Sequence, residues 1–142
     1  MQEATMPDTV GVGEECFRRD LRQPAGFTIL VVDDCEAIRE LAGYVLREKG
    51  YQVLEAGDGI AALEAAERHP GEVDLLITDW EMPRLGGAAL IRRFAAAHPR
   101  ASILIAATYP DCEPPAEAAI LPKPFTLEDL LRKVGDLLQA RS

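Results

Sequence analysis

Short runs in which every residue is apolar, spaced by helix-length amphipathic stretches, constrain this chain most. Ile29-Leu30-Val31-Val32 shows no alternation of polar and apolar positions, so a strand built from it is covered on both faces. Leu75-Leu76-Ile77 and Ile103-Leu104-Ile105-Ala106 repeat the pattern. Strands of this kind belong to a parallel sheet flanked by helices, and the segments between them supply those helices. From about residue 36 to 49, Ile38, Leu41, Ala42, Val45 and Leu46 fall at i, i+3, i+4, i+7 and i+8, which predicts a helix with these residues on one buried face. Gly50 stops it. Further strands are predicted over 51–56, 73–78, 102–106 and 120–122. Helices are predicted over 61–68, 87–97 (Leu90, Ile91 and Phe94 inward) and after Thr126. For that last one Thr126 and Asp129 have the spacing of a capping box, and Leu130, Leu131, Val134, Leu137 and Leu138 form the apolar stripe. The fold class is α/β.

In a parallel sheet all carboxyl ends meet at one edge, and that edge is where open α/β sheets bind ligands. Here the first strand runs into Asp33-Asp34, the third into Asp79-Trp80-Glu81-Met82-Pro83 with Gly87 following, and the fifth into Lys123-Pro124-Phe125. Three carboxylates and an ammonium therefore gather at one place. Two like unit charges about 4 Å apart repel by about 4 kcal/mol at an effective dielectric of about 20, so such a cluster calls for a cation. Oxygen donors suit a hard divalent ion, and the ion with the lysine suits a phosphoryl group.

Asp33-Asp34, Asp79 with Met82-Pro83 and Gly87, and Lys123-Pro124-Phe125, in this order and spacing, resemble the receiver domain of bacterial two-component response regulators over about residues 28–138. The resemblance implies a flavodoxin-like doubly wound sheet of five parallel strands in the order 2-1-3-4-5. It implies Asp79 as phosphoacceptor and Mg²⁺ as cofactor. The ion would be held by Asp34, Asp79 and the backbone carbonyl of Glu81, with Asp33 acting through water. Lys123 would offset phosphoryl charge, its bond to Pro124 being cis. The implied partners are a sensor histidine kinase or histidine phosphotransfer protein, docking near Ile38, and a downstream protein target. A hydroxyl at the end of the fourth strand completes such a site. Thr108 is the candidate, and a one-residue shift of register would put Ala107 there instead.

Two stretches depart from the family. Between the fourth and fifth strands receivers carry a full helix, but here Pro110, Pro114 and Pro115 crowd the interval. Proline inside a helix costs about 3 kcal/mol, so this fourth helix is expected to be shortened or missing. Ala106-Ala107-Thr108-Tyr109 is similar to a Phe-Ala-Thr-Gly-Tyr stretch found in receivers with a poorly formed fourth helix, without the Phe and the Gly. Where many receivers have an aromatic switch residue, three before the lysine, this chain has Ile120. The threonine–aromatic coupling is therefore not assumed. Tyr109, where a small residue is usual, would slow access to the site.

The 142 residues have room for one domain. Residues 1–26, poor in large apolar side chains, read as a flexible extension, 27–142 as the receiver, with no output domain after it. A net charge of −9 argues against nonspecific nucleic-acid binding, and no run is long enough for a membrane span. No secretory signal is visible. Cys16, Cys35 and Cys112 lack metal-type spacing and read as reduced thiols of a cytoplasmic protein. His69 and His98 read as helix-end residues. Two other functions compete with the phosphoaccepting regulator, itself not an enzyme beyond its own phosphorylation and dephosphorylation. One is a pseudo-receiver that never turns over phosphate. The other is a haloacid-dehalogenase-like Mg²⁺-dependent phosphohydrolase, which needs an acid two residues after its nucleophile, where Asp33 is followed by Cys35 and Asp79 by Glu81.

Overall fold

The computed structural model describes residues 26–80, 85–108 and 118–140. Within them the chain runs β1 (Thr28–Val32), α1 (Glu36–Glu48), β2 (Gln52–Ala56), α2 (Gly59–Arg68), β3 (Leu75–Asp79), α3 (Gly87–Ala97), β4 (Ser102–Ala107), β5 (Ala119–Pro122) and α4 (Leu127–Gln139). The five strands are all parallel and ordered β2-β1-β3-β4-β5, the flavodoxin-like arrangement. Among the described residues no helix stands between β4 and β5. The prolines expected to shorten one there fall in 109–117, outside the described residues, as do residues 1–25.

The central strands are apolar throughout because the pleat sends alternate residues to two cores. Leu30, Val32, Leu76, Ile103 and Ile105 meet Ala62, Ala66, Leu90, Ile91 and Phe94 from α2 and α3. Ile29, Val31, Leu75, Ile77 and Leu104 meet Ala42, Leu46, Leu130, Val134 and Leu138 from α1 and α4. Each large side chain fully withdrawn from water contributes roughly 1.5–3 kcal/mol, so these two layers hold the sheet in place. At the amino edge Asp74 ties β3 to β1: its carboxylate accepts from the Thr28 amide at 2.8 Å, and its own amide donates to the Thr28 carbonyl at 2.8 Å. β3 consequently begins after Asp74, later than the apolar pattern suggests, and extends one residue further, to Asp79 paired with Ala106.

The first helix corrects the expected pattern. Ile38 and Leu41 do not belong to its buried face; each is 49% exposed, and the buried side is Ala42, Gly43 and Leu46. Ala42, Gly43 and Leu46 pack toward the sheet, and the helix turns Ile38 and Leu41 toward a cleft that Leu127 and Leu130 of α4 also line. The last helix follows its sequence signals. The Thr126 hydroxyl accepts from the Asp129 amide at 3.0 Å, and the Asp129 carboxylate accepts from the Thr126 amide at 3.1 Å, closing the capping box. His69 and His98 are the C-caps of α2 and α3.

Candidate functional site at the carboxyl edge of the sheet

β1 is central, so its extension delivers Asp33 into the interior of the edge, where the residue is only 8% exposed; Asp34, one step on, faces solvent. The Asp33 amide still donates to Ala56 at 3.2 Å, and its carboxylate accepts from the Cys35 amide at 2.9 Å at the start of α1. Asp79 is the final, half-buried residue of β3. Carboxylate oxygens of Asp33, Asp34 and Asp79 all lie within 4.8 Å of one another. Lys123 leaves β5 with its amide bonded to the Ala107 carbonyl at 2.9 Å and a cis peptide to Pro124. Its Nζ stands 3.3 Å from Asp79 Oδ2. The four residues singled out by strand-end position converge on one spot.

The charges are not balanced. Burial pushes the Asp33 carboxyl above its ordinary range, the charges of Asp79 and Asp34 push the same way, and the Cys35 amide and Lys123 only partly offset this. One ammonium facing three carboxylates leaves room for a cation. An octahedral ion with oxygens at about 2.1 Å sets neighbouring ligand oxygens roughly 3 Å apart and opposite ones roughly 4 Å apart. The carboxylate oxygens, within 4.8 Å of one another, lie close to that spacing, so the residues fit such an ion. Glu81, whose carbonyl the resemblance implicates, lies outside the described residues.

Thr108 and Ala107 are separated by the structure. Ala107 is 4% exposed and turns into the core beneath α2 and α3. Thr108 is exposed and lines the same cleft as Asp33, Asp79 and Lys123, on the face that carries Ala106. Of the two, Thr108 is the one that lines this cleft. The cleft encloses about 520 Å³ and continues away from the acids into an apolar groove walled by Ile38, Leu41, Phe125 and Leu130. Trp80 is half-buried against the core, and its carbonyl accepts from the Gly87 amide at 3.1 Å. A Cβ at Gly87 would come within 2.8 Å of that carbonyl, so only glycine lets the chain after Asp79 fold back this closely. Arg39 also lines the cleft, and sequence reasoning did not single it out. An arginine five residues after an acid pair carries no spacing rule; only the fold shows that it faces back.

Residues 29–135 match the model of the response regulator receiver domain. The chain belongs to this family. It is similar to the sensor kinase CckA of Brucella abortus, 36% identical over 118 residues that make up 79% of this chain and 12% of that one. The response regulator receiver protein CpdR of the same organism is 32% identical over 118 residues, 79% of this chain and 97% of CpdR. The chain thus spans about an eighth of the first relative and nearly all of the second. Among solved structures, the receiver domain of the hybrid histidine kinase CckA superposes with a TM-score of 0.71 at 37% identity, covering 79% of this chain and 99% of that domain. TrrA of Thermotoga maritima, solved in complex with Mg²⁺ and BeF, superposes at 0.67 with 32% identity, over 78% of this chain and 98% of TrrA. The chain is a response regulator receiver of the two-component class, a signalling domain, and neither the pseudo-receiver nor the phosphohydrolase reading is favoured.

Proposed function

We propose that Asp79 is the residue that accepts the phosphoryl group, from a phosphohistidine of a sensor kinase or histidine phosphotransfer protein. The observation that carries this reading is the 3.3 Å approach of Lys123 Nζ to Asp79 Oδ2 beside the clustered carboxylates. An Asp79 oxygen forms the new bond to phosphorus as the phosphorus–nitrogen bond breaks, and the imidazole departs with the bonding pair. The ionised carboxylate needs no general base, so the domain contributes position and charge. Lys123 offsets the negative charge of the phosphoryl oxygens, and the Thr108 hydroxyl donates to one of them. Asp33, Asp34, Asp79 and the Glu81 carbonyl would hold Mg²⁺, which when bound neutralises the carboxylates and the phosphoryl oxygens. The product is an acyl phosphate, open to hydrolysis at the same exposed edge, so the signal resets with no separate catalytic domain.

Residues 27–142 serve as the receiver in this reading and act through contacts with a downstream protein in the cytoplasm, without nucleic acid or membrane. The match covers 97% of CpdR, a response regulator receiver protein of similar extent. The test uses Trp80, the only tryptophan, which adjoins Asp79 in the chain. Beryllofluoride with Mg²⁺ should change its fluorescence saturably in the wild type, and Asp79→Asn should abolish the response. Equal responses in both proteins would remove Asp79 from the role.

A further inference from the structure

An ion-pair network outside the acid cluster reaches it through the backbone. Arg39 Nη1 donates to the Asp33 carbonyl at 2.9 Å. That carbonyl belongs to the peptide joining Asp33 to Asp34, so the guanidinium fixes the plane from which the second acid projects. The same guanidinium is braced from the other side: its Nε lies 3.5 Å from Glu55 Oε1 on β2. Glu55 Oε2 is in turn 3.0 Å from Arg47 Nη1, and Arg47 Nη2 donates to the Val53 carbonyl at 3.1 Å.

The helix is built around this network. Arg39, Gly43 and Arg47 stand at i, i+4 and i+8, one stripe of α1, with Glu55 seated over the gap left by the glycine. A Cβ at Gly43 would approach Glu55 Oε2 to 2.7 Å, and one at Gly57 would approach Arg39 Nη1 to 3.2 Å. A mid-helix glycine is less favourable than alanine because its backbone loses more freedom on ordering. Here the glycine leaves space for the carboxylate that holds the arginine.

We infer that Arg39, braced by Glu55, is a positioning residue that orients the Asp33–Asp34 peptide so that both acids present oxygens to a divalent cation. The inference rests on the metal-binding reading of the site. Arginine suits the task because its planar fork bonds a carbonyl and a carboxylate at once, whereas a lysine offers a single point charge. Groups that orient metal ligands typically matter by about 10- to 100-fold in metal affinity.

Mg²⁺ titration of the full chain, read by Trp80 fluorescence alongside urea unfolding, tests it. Arg39→Ala should raise the apparent Kd for Mg²⁺ about tenfold or more, and Arg39→Lys should recover only part of that. Glu55→Gln should weaken binding by a smaller factor, and the double variant should be no worse than Arg39→Ala alone, since the two act through one contact. Gly43→Ala separates this role from a structural one, and it serves also if Arg39→Ala does not fold. The added methyl favours the helix yet displaces Glu55, so Mg²⁺ binding should weaken although α1 gains intrinsic propensity. Folded Arg39 and Gly43 variants that bind Mg²⁺ within about twofold of the wild type would overturn this inference alone. A wild type with no Mg²⁺ response would overturn the metal-binding reading as well.

Discussion

The carboxyl edge of the sheet and the start of α4 both use aspartates, in opposite ways. At the edge, burial raises Asp33 above the ordinary aspartate range, and Asp79 and Asp34 add repulsion. At the helix start, the Thr126 amide holds Asp129 below that range, and the Thr126 hydroxyl and Arg132 contribute in the same direction. Asp129 is supplied with donors and a helix dipole, and its charge helps the fold. Asp33 is withdrawn from water beside two other acids, with the Cys35 amide and Lys123 offsetting only part of this, and its charge opposes the fold until a further cation arrives. The molecule tolerates a carboxylate that is only partly compensated because the two apolar layers beneath hold β1 and β3 in register.

Asp33→Asn is the sharpest way to break this contrast. Removing one of three clustered charges should raise the stability of the metal-free protein by roughly 0.5–2 kcal/mol, the range usual for a single stabilising substitution. The same change should weaken Mg²⁺ binding about tenfold, the lower end of what loss of a group orienting a metal costs. Urea unfolding with and without Mg²⁺ measures both. A variant less stable than the wild type in the absence of metal would show that Asp33 is a structural acid like Asp129.

The same contrast explains what could be read before the fold was known. Ile29–Val32 announced a strand covered on both faces, and Thr126 with Asp129 announced a helix start, because in each case the deciding interactions lie within a few residues. The convergence of Asp33, Asp34, Asp79 and Lys123 was legible because parallel strands share an edge. The phase of α1 was not. Ala42 and Leu46 are buried as the helical period indicates, but Ile38 and Leu41, which satisfy it equally, are exposed, and Gly43 is buried beside Glu55, a residue on another strand that Arg39 and Arg47 both pair with. Thr108 was ambiguous for a related reason: a one-residue step in a strand reverses the face, and only the pairing of Asp79 with Ala106 sets it.

Thr126→Ala is the matched change at the other region. Loss of the hydroxyl that accepts from the Asp129 amide should cost about 1 kcal/mol of stability, the usual figure for an N-cap. Because α4 meets the site only through its packing, Mg²⁺ affinity should stay within about twofold of the wild type. Urea midpoints and Trp80 titrations check the two halves. A large loss of Mg²⁺ affinity here would mean that the two acidic regions are coupled.

The smallest effect is in the pH dependence of the metal-free protein, where the two aspartates should act with opposite sign. Asp33, raised in the folded state, binds its proton there before it does in the unfolded chain. Its contribution to stability therefore grows as pH falls from neutral through its folded value, and is complete once the unfolded value is passed. Asp129, depressed in the folded state, contributes stability above its unfolded value and loses it as pH falls through its lower folded value. Urea midpoints followed down the acid limb should thus fall less steeply in Asp129→Asn than in the wild type. In Asp33→Asn they should lack the gain that precedes the fall. The Asp129 carboxylate is open to solvent and screened by salt, so its share should shrink on going from low to high ionic strength, while that of the buried Asp33 persists. Identical salt sensitivity for the two variants would contradict the assignment of one aspartate to the fold and the other to the site.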